Sequence, residues 1–400
     1  MEDFRQALQK RILLFDGSMG ALLGLMGIET ECPDLLSVTR PDVIRGIHEA
    51  YVKAGADVVL TDTFGGTSIK LERAGLSGRV AEIASAAVKN ARASGAPFVA
   101  LDLGPTGRFL APVGDVSFEQ MMASLREFCR AGAEAGADLI VIETQTDLAE
   151  MRCALIAARE TGLPVVASST YSPNARTLTG GAPECAALIA AALGAAAAGI
   201  NCSGGPLEML KPLKAMRAVS AIPVVVQPNA GLPAVGADGR AVFPFGPDAM
   251  TPHMAEILAA GASAIGGCCG TTPEHIAKMR AVANAATPPE SAWDGVVSIC
   301  SSRAFLPLDE ARAALEAIDD LEDLYDLEPG AVPLIDLCGL SPDEARDTAA
   351  QAQTMSKAPL AFRADSAEAL DAALEVYTGV ALADAPGLDE VLSRWGVQKL

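Results

Sequence analysis

The chain has 400 residues, half of them hydrophobic and a fifth charged, with a formal net charge of −20 at pH 7. A chain of this length outgrows a single core, so two structural units are expected; the acidic balance argues against nucleic acid, whose phosphates call for basic patches. No apolar stretch reaches the ~20 residues of a membrane span, and the longest, 186–200, is rich in alanine and reads as a buried helix running into a strand.

The opening residues, Glu2-Asp3-Phe4-Arg5, offer neither a basic start nor an apolar run, so no secretory signal is expected. The nine cysteines are accordingly read as reduced thiols of a cytoplasmic protein. Short aliphatic runs then recur at 12–15, 58–61, 98–101, 139–142, 165–168, 198–201, 224–227 and 264–267, with helical stretches between them. Continuous apolar runs of this kind suit parallel strands buried on both faces. Gly55, Gly136, Gly162 and Gly261 stand where the preceding helices would end in left-handed caps. Eight strands, seven crossovers and a closing helix from Pro273 predict an α/β fold, a (β/α)8 TIM barrel over residues 1–285. An open doubly wound sheet is the competing arrangement, but it wants about six strands and a glycine fingerprint that is absent.

Residues 286–294, with Pro288 and Pro289, read as a linker. Beyond it, 295–400 is expected to form a small C-terminal α/β domain with strands at 296–299, 334–337, 360–362 and 380–382. One helix start is well marked, because Ser341-Pro342-Asp343-Glu344 supplies a cap, a first-turn proline and a glutamate three residues on. Residues 301–400 hold 7 Lys/Arg against 20 Asp/Glu, a net of −13. That acidity fits a solvated face or a docking surface for a partner.

In a barrel the C-terminal rim carries the chemistry. Asp16, Asp62, Asp102, Glu143, Ser169, Cys202, Asn229 and Cys268 each fall at or just past the end of one of the eight runs. Cys202 and the adjacent pair Cys268-Cys269 therefore converge at the mouth, provided the last strand ends or bends there, since neighbouring strand residues face opposite ways. Gly266, Gly267 and Gly270 supply that freedom. Three thiolates without a fourth ligand point to a zinc ion kept open to substrate. A zinc held by three thiolates is a poor generator of hydroxide but can hold a fourth sulfur as a thiolate, which suits alkyl transfer to sulfur. Ordinary buried cysteines or a redox pair are the competing readings. The remaining cysteines, and His48, His253 and His275, are given no metal role.

Asp16-Gly17-Ser18-Met19-Gly20, Gly199-Ile200-Asn201-Cys202, Pro228-Asn229-Ala230-Gly231-Leu232-Pro233 and Gly266-Gly267-Cys268-Cys269-Gly270-Thr271-Thr272-Pro273-Glu274-His275 resemble the signatures of zinc-dependent homocysteine S-methyltransferases. Asp102-Leu103-Gly104-Pro105-Thr106-Gly107 and Glu143-Thr144-Gln145-Thr146-Asp147 bring the chain nearest to the homocysteine module of cobalamin-dependent methionine synthase. The resemblance covers about residues 8–285. It implies a zinc held by Cys202, Cys268 and Cys269, homocysteine as methyl acceptor, and an asparagine, Asn229, beside the metal; a plain turn residue is the other reading of Asn229. For the substrate's ammonium the rim acids Glu143 and Asp16 are assigned, and for its carboxylate the N–H groups of Ser18, Met19 and Gly20 at a helix start. Capping of that helix is an equal alternative for Asp16, and Asp62 is given no catalytic role.

The resemblance weakens in 295–400, whose element order is similar to the opening of a folate-binding barrel without its characteristic polar motif, which fits a reduced remnant of one. There is no Asp-x-His-x-x-Gly, the usual cobalamin-ligating pattern, so the methyl donor is expected from outside: a methyl-corrinoid (methylcobalamin) on a separate protein. S-methylmethionine, S-adenosylmethionine and a betaine-like donor are the alternatives, and a zinc-bearing interaction or regulatory subunit without turnover is the alternative of another class.

Overall fold

The computed structural model describes residues 2–235 and 241–400. Its first eight strands are β1 (Leu13–Leu14), β2 (Val58–Leu60), β3 (Phe98–Leu103), β4 (Leu139–Gln145), β5 (Val165–Ser169), β6 (Ala197–Cys202), β7 (Val224–Pro228) and β8 (Ala264–Ile265). All pair in parallel with their sequence neighbours, β8 pairs with β1, and a bridge from Phe15 to Val58 closes the ring. Each strand is followed by a helix that covers the outside, from Pro41–Lys53 after β1 to Pro273–Ala285 after β8. This is the expected (β/α)8 barrel.

Because successive strand residues face opposite ways, the apolar runs split into two cores. Leu13, Phe15, Val58, Phe98, Ala100, Leu139, Val141, Val166, Ala197, Val225 and Ala264 fill the lumen. Their neighbours Leu14, Val59, Val99, Leu101, Ile140, Ile142, Ala167, Ile200, Val226 and Ile265 point outward under the helices. A helix not anticipated from the sequence, Phe4–Lys10, stoppers the lumen at the N-terminal end of the strands. The ring of Phe4 meets those of Phe15 and Phe98 edge-on, with centroids 6.5 and 5.6 Å apart. Seven residues were too short a signal to separate from a disordered start.

After the barrel, Ser298–Cys300 and Phe305–Pro307 form an antiparallel pair. A five-stranded parallel sheet follows: β9 (Leu315–Ala317), β10 (Val332–Asp336), β11 (Ala361–Arg363), β12 (Leu382–Asp384) and β13 (Gln398–Lys399), in that spatial order. The expected strands at 334–337, 360–362 and 380–382 have counterparts here, and the one at 296–299 in the antiparallel pair. Those at 305–307, 315–317 and 398–399 were unforeseen: 315–317 continues a helix-like Ala/Leu/Glu pattern, and 398–399 is polar and pairs along one edge only. The helix start at Ser341 forms the reciprocal cap with Glu344.

One hydrophobic cluster runs without interruption from the outer layer of the barrel, through Ile156 and Leu188, into Leu337, Phe362 and Trp395 of the second sheet. Arg152, almost fully buried in helix Leu148–Arg159, donates to the carbonyls of Leu374 and Glu375 in the last turn of helix Ala367–Val376. Its guanidinium stacks on Trp395, 5.0 Å from the ring centre, and that of Arg159 lies 4.9 Å from it.

Candidate metal centre

Cys202 is the last residue of β6, and Cys268 and Cys269 lie just past the two-residue strand β8. Their sulfurs gather within 4.8 Å of one another at the C-terminal mouth of the barrel. Two local distortions allow this. Cys202 and Ser203 adopt φ +61° and +35°, a left-handed conformation that side chains tolerate only under support from their surroundings. On the other side, Gly267 is compulsory, because a Cβ there would stand 2.2 Å from Thr271 Oγ1. Thr271 then fastens the bend by donating its hydroxyl to Cys268 O at 2.7 Å.

Asn229 links the two halves of the trio. Its Nδ2 lies 3.5 Å from Cys202 Sγ, and its Oδ1 accepts from the Cys269 N–H at 3.0 Å. Hydrogen bonds from Cys268, Cys269 and Asn229 hold the Cys202 thiol at a pKa of about 3, whereas Cys269 is pushed up to about 11 and Cys268 is raised. Three soft donors, the most open of them, Cys269, facing solvent, fit a soft divalent ion with a position left free.

The facing side of the mouth is acidic. Asp16, Asp102 and Glu143 are buried and mutually repelling; burial raises all three, Glu143 to about 7. Asp16 does not cap the helix after β1. Ser18 does, accepting from Ala21 N at 3.0 Å, while Asp16 Oδ2 accepts from Leu60 N at 2.9 Å across the β1–β2 junction. Ser18 N donates to Thr271 Oγ1 at 3.3 Å, joining this helix start to the cysteine loop. Tyr51 reinforces the join, its hydroxyl 2.9 Å from Ser18 O and 3.2 Å from Thr271 O. Met19 and Gly20 are the first-turn residues of that seven-residue helix, whose N–H groups have no intrahelical acceptor.

Asp62, buried with Oδ2 unpaired, lies beside Asp34 and Ser37, and its charge adds to the repulsion on Asp102. None of the three histidines is among the cysteines: His275 accepts from Thr272 N through Nδ1 and reaches Phe245 O through Nε2, His253 approaches Glu256, and His48 is buried without a partner. Two polar residues at the mouth had been given no role. Asp102 is buried with Oδ1 unpaired. Asn201, fully buried on β6, donates from Nδ2 to Glu143 Oε2 at 3.0 Å and to Thr144 Oγ1 at 2.7 Å. Strand parity could have found both, since 98, 100 and 102, like 197, 199 and 201, continue inward-facing series.

Residues 13–283 match the family model described as homocysteine S-methyltransferase. The chain is 33% identical over 309 residues to a protein of Mycobacterium tuberculosis named methionine synthase, covering 72% of this chain and 26% of that one. The corresponding Mycobacterium leprae protein is 32% identical over 302 residues, 70% of this chain and 25% of the relative. The chain thus spans about a quarter of the length of these curated relatives. Among solved structures, the metallated form of the Escherichia coli homocysteine methyltransferase MmuM superposes with a TM-score of 0.57 at 26% identity, covering 70% of this chain and 98% of that one. Among the described residues no helix is long and apolar enough to cross a membrane.

Proposed function

The chain belongs to the homocysteine S-methyltransferase family, and from that premise we propose that it transfers a methyl group to the sulfur of homocysteine, giving methionine, with zinc at Cys202, Cys268 and Cys269. The observation that carries the reading is the gathering of three cysteine sulfurs within 4.8 Å of one another at the barrel mouth. Bound zinc would take the thiol of homocysteine as its fourth ligand and keep it deprotonated at neutral pH, where a free thiol of pKa ~8.5 is mostly protonated.

The protein's own residues do the remaining work. Asn229 fixes the relative orientation of Cys202 and Cys269 by bridging them. Glu143 and Asp16, with Asp102 beside them, offer the negative field an ammonium needs, and a cation bound there relieves their mutual repulsion. The N–H groups of Met19 and Gly20 suit a carboxylate, whereas that of Ser18, assigned with them from the sequence, is engaged by Thr271 Oγ1.

For the donor we favour a methyl-corrinoid carried by a separate protein. The exposed large apolar side chains of the barrel, among the described residues, all lie on segments that follow strands at the mouth: Leu25 and Met26, Phe64, Val113, Leu178, Leu207, Leu232 and Val242. An apolar collar of this kind supports a macromolecular visitor better than a small polar donor. In the same reading 1–285 is the substrate barrel, 286–294 a connector and 295–400 an acidic accessory domain, a reduced relative of a folate-type barrel; the protein works in the cytoplasm.

The test is methionine formation by zinc-loaded protein with homocysteine and methylcobalamin, followed through the cobalamin spectrum. Demethylation should require homocysteine and vanish, together with bound zinc, in Cys268→Ala. Full turnover by a zinc-free Cys268→Ala protein would overturn the site.

A further inference from the structure

Asn201 spends its side chain in an unusual direction. Its backbone pairs with Gln227 of β7, and β5 lies on the other side of β6, yet its amide reaches past β5 to β4. Oδ1 accepts from Thr144 N at 2.8 Å, Nδ2 donates to Thr144 Oγ1 and Glu143 Oε2, and Nδ2 stands 3.9 Å from Cys268 Sγ. Residues from alternate strands share one layer of a barrel lumen, which is why β4, β6 and β8 meet here.

The place it grips is the weakest point of β4. Register with β5 breaks between Ile142 and Gln145, and Thr144, a β-branched residue, sits at φ +55°. Such a conformation persists only when the surroundings over-determine it, and both polar groups of Thr144 are held by Asn201. The kink in turn aims Glu143, whose Oε2 is oriented by the same amide.

We propose that Asn201 is a positioning residue: it locks the kink of β4 and thereby places the Glu143 carboxylate, at a fixed distance from the cysteine cluster, to receive the substrate's ammonium. This rests on the homocysteine reading above. A merely space-filling buried amide would affect all ligands alike, whereas this one acts on recognition of the ammonium and leaves the thiol alone.

The experiment uses cobalt-substituted protein, in which thiol binding is read from the metal–thiolate absorption, with two probes: homocysteine, and 4-mercaptobutyrate, which keeps the thiol and carboxylate but lacks the ammonium. Asn201→Asp preserves shape, removes the donor and sets a second carboxylate against Glu143. It should keep one metal per chain, lose about tenfold or more in homocysteine affinity, as expected for a lost charge-assisted hydrogen bond, and bind 4-mercaptobutyrate within about twofold of the parent. Glu143→Gln should show the same selectivity, and combining the two should add little, as for residues acting through one contact. Equal weakening of both probes, unchanged homocysteine binding, additive losses, or loss of metal in Asn201→Asp and Asn201→Ser alike would each overturn the proposal. Failure of the unsubstituted protein to bind homocysteine while binding metal would instead overturn the functional reading on which it rests.

Discussion

At the scale of single residues, the mouth of the barrel holds conformations and charges that folding alone would not select. Thr144, Cys202 and Ser203 are three of the four non-glycine residues with positive φ among the described residues, and all lie at the ends of β4 and β6. Asp16, Asp102 and Glu143 are buried beside one another, with the Lys70 ammonium acting on Asp102 and Glu143 from a distance. Strain and repulsion concentrated where three thiols meet mark a site kept for binding. His48 is a counter-example, buried in helix Pro41–Lys53 far along the chain from any ligand, with neither ring nitrogen bonded, and burial lowers its pKa from 6.5 to about 4. Between those values the unfolded chain carries the proton and the folded one does not, so stability falls as pH drops through that window and levels off below it. At pH 5 the loss amounts to about 2 kcal/mol. Urea unfolding at pH 7 and pH 5 should therefore show the wild-type protein losing about 2 kcal/mol more than His48→Leu; an equal loss in both would mean the folded ring takes its proton freely.

At the scale of elements, the helix Leu148–Arg159 does two jobs. It is the fourth outer helix of the barrel, and through Arg152 it caps another helix, Ala367–Val376, whose last carbonyls have no acceptor role to play within their own helix. Arg152 is buried in an otherwise Ala/Leu-rich helix, and the helix it caps in the second unit explains it. Removing it leaves the buried carbonyl of Leu374 and the half-buried one of Glu375 without this donor, and leaves Trp395 with only the Arg159 guanidinium on its ring. Arg152→Ala should cost about 3 kcal/mol, felt first in the second sheet. Trp395 fluorescence should shift to the red at a lower urea concentration than the loss of barrel helicity, and coincident transitions at the wild-type midpoint would refute the capping role.

At the scale of the whole molecule, the cysteines come from β6 and from the loop after β8, so a bound ion ties together segments 66 positions apart in the chain. Binding to the folded state alone stabilises it by mass action, about 4 kcal/mol at a thousandfold excess over the dissociation constant. Zinc loading should raise the melting temperature by several degrees in the wild-type protein and leave Cys268→Ala unmoved; chelation should reverse the gain. A metal-independent melting curve would mean that the trio holds no ion. The two ends of the barrel differ: Phe4 and Leu8 close one with apolar packing, while the strand ends and the segments that follow them at the other carry the buried acids and the barrel's exposed large apolar side chains.

Much of this was legible in the sequence because it depends on local physics. Apolar runs of four residues alternating with helical stretches fix parallel strands, glycines fix where helices stop, and eight repeats fix a closed ring whose rim must hold Cys202, Cys268 and Cys269. The Ser341 cap is equally local, since donor and acceptor lie three residues apart. What only the tertiary structure decided are the contacts between segments distant in the chain: Ser18 rather than Asp16 at the helix start, because Leu60 N claims the Asp16 carboxylate; Asn201 reaching across the lumen to Thr144; Arg152 ending a helix more than 200 residues away. Hydrogen bonds are short and directional, so which polar groups find each other is set by the three-dimensional path of the chain, whereas apolar periodicity is written along it.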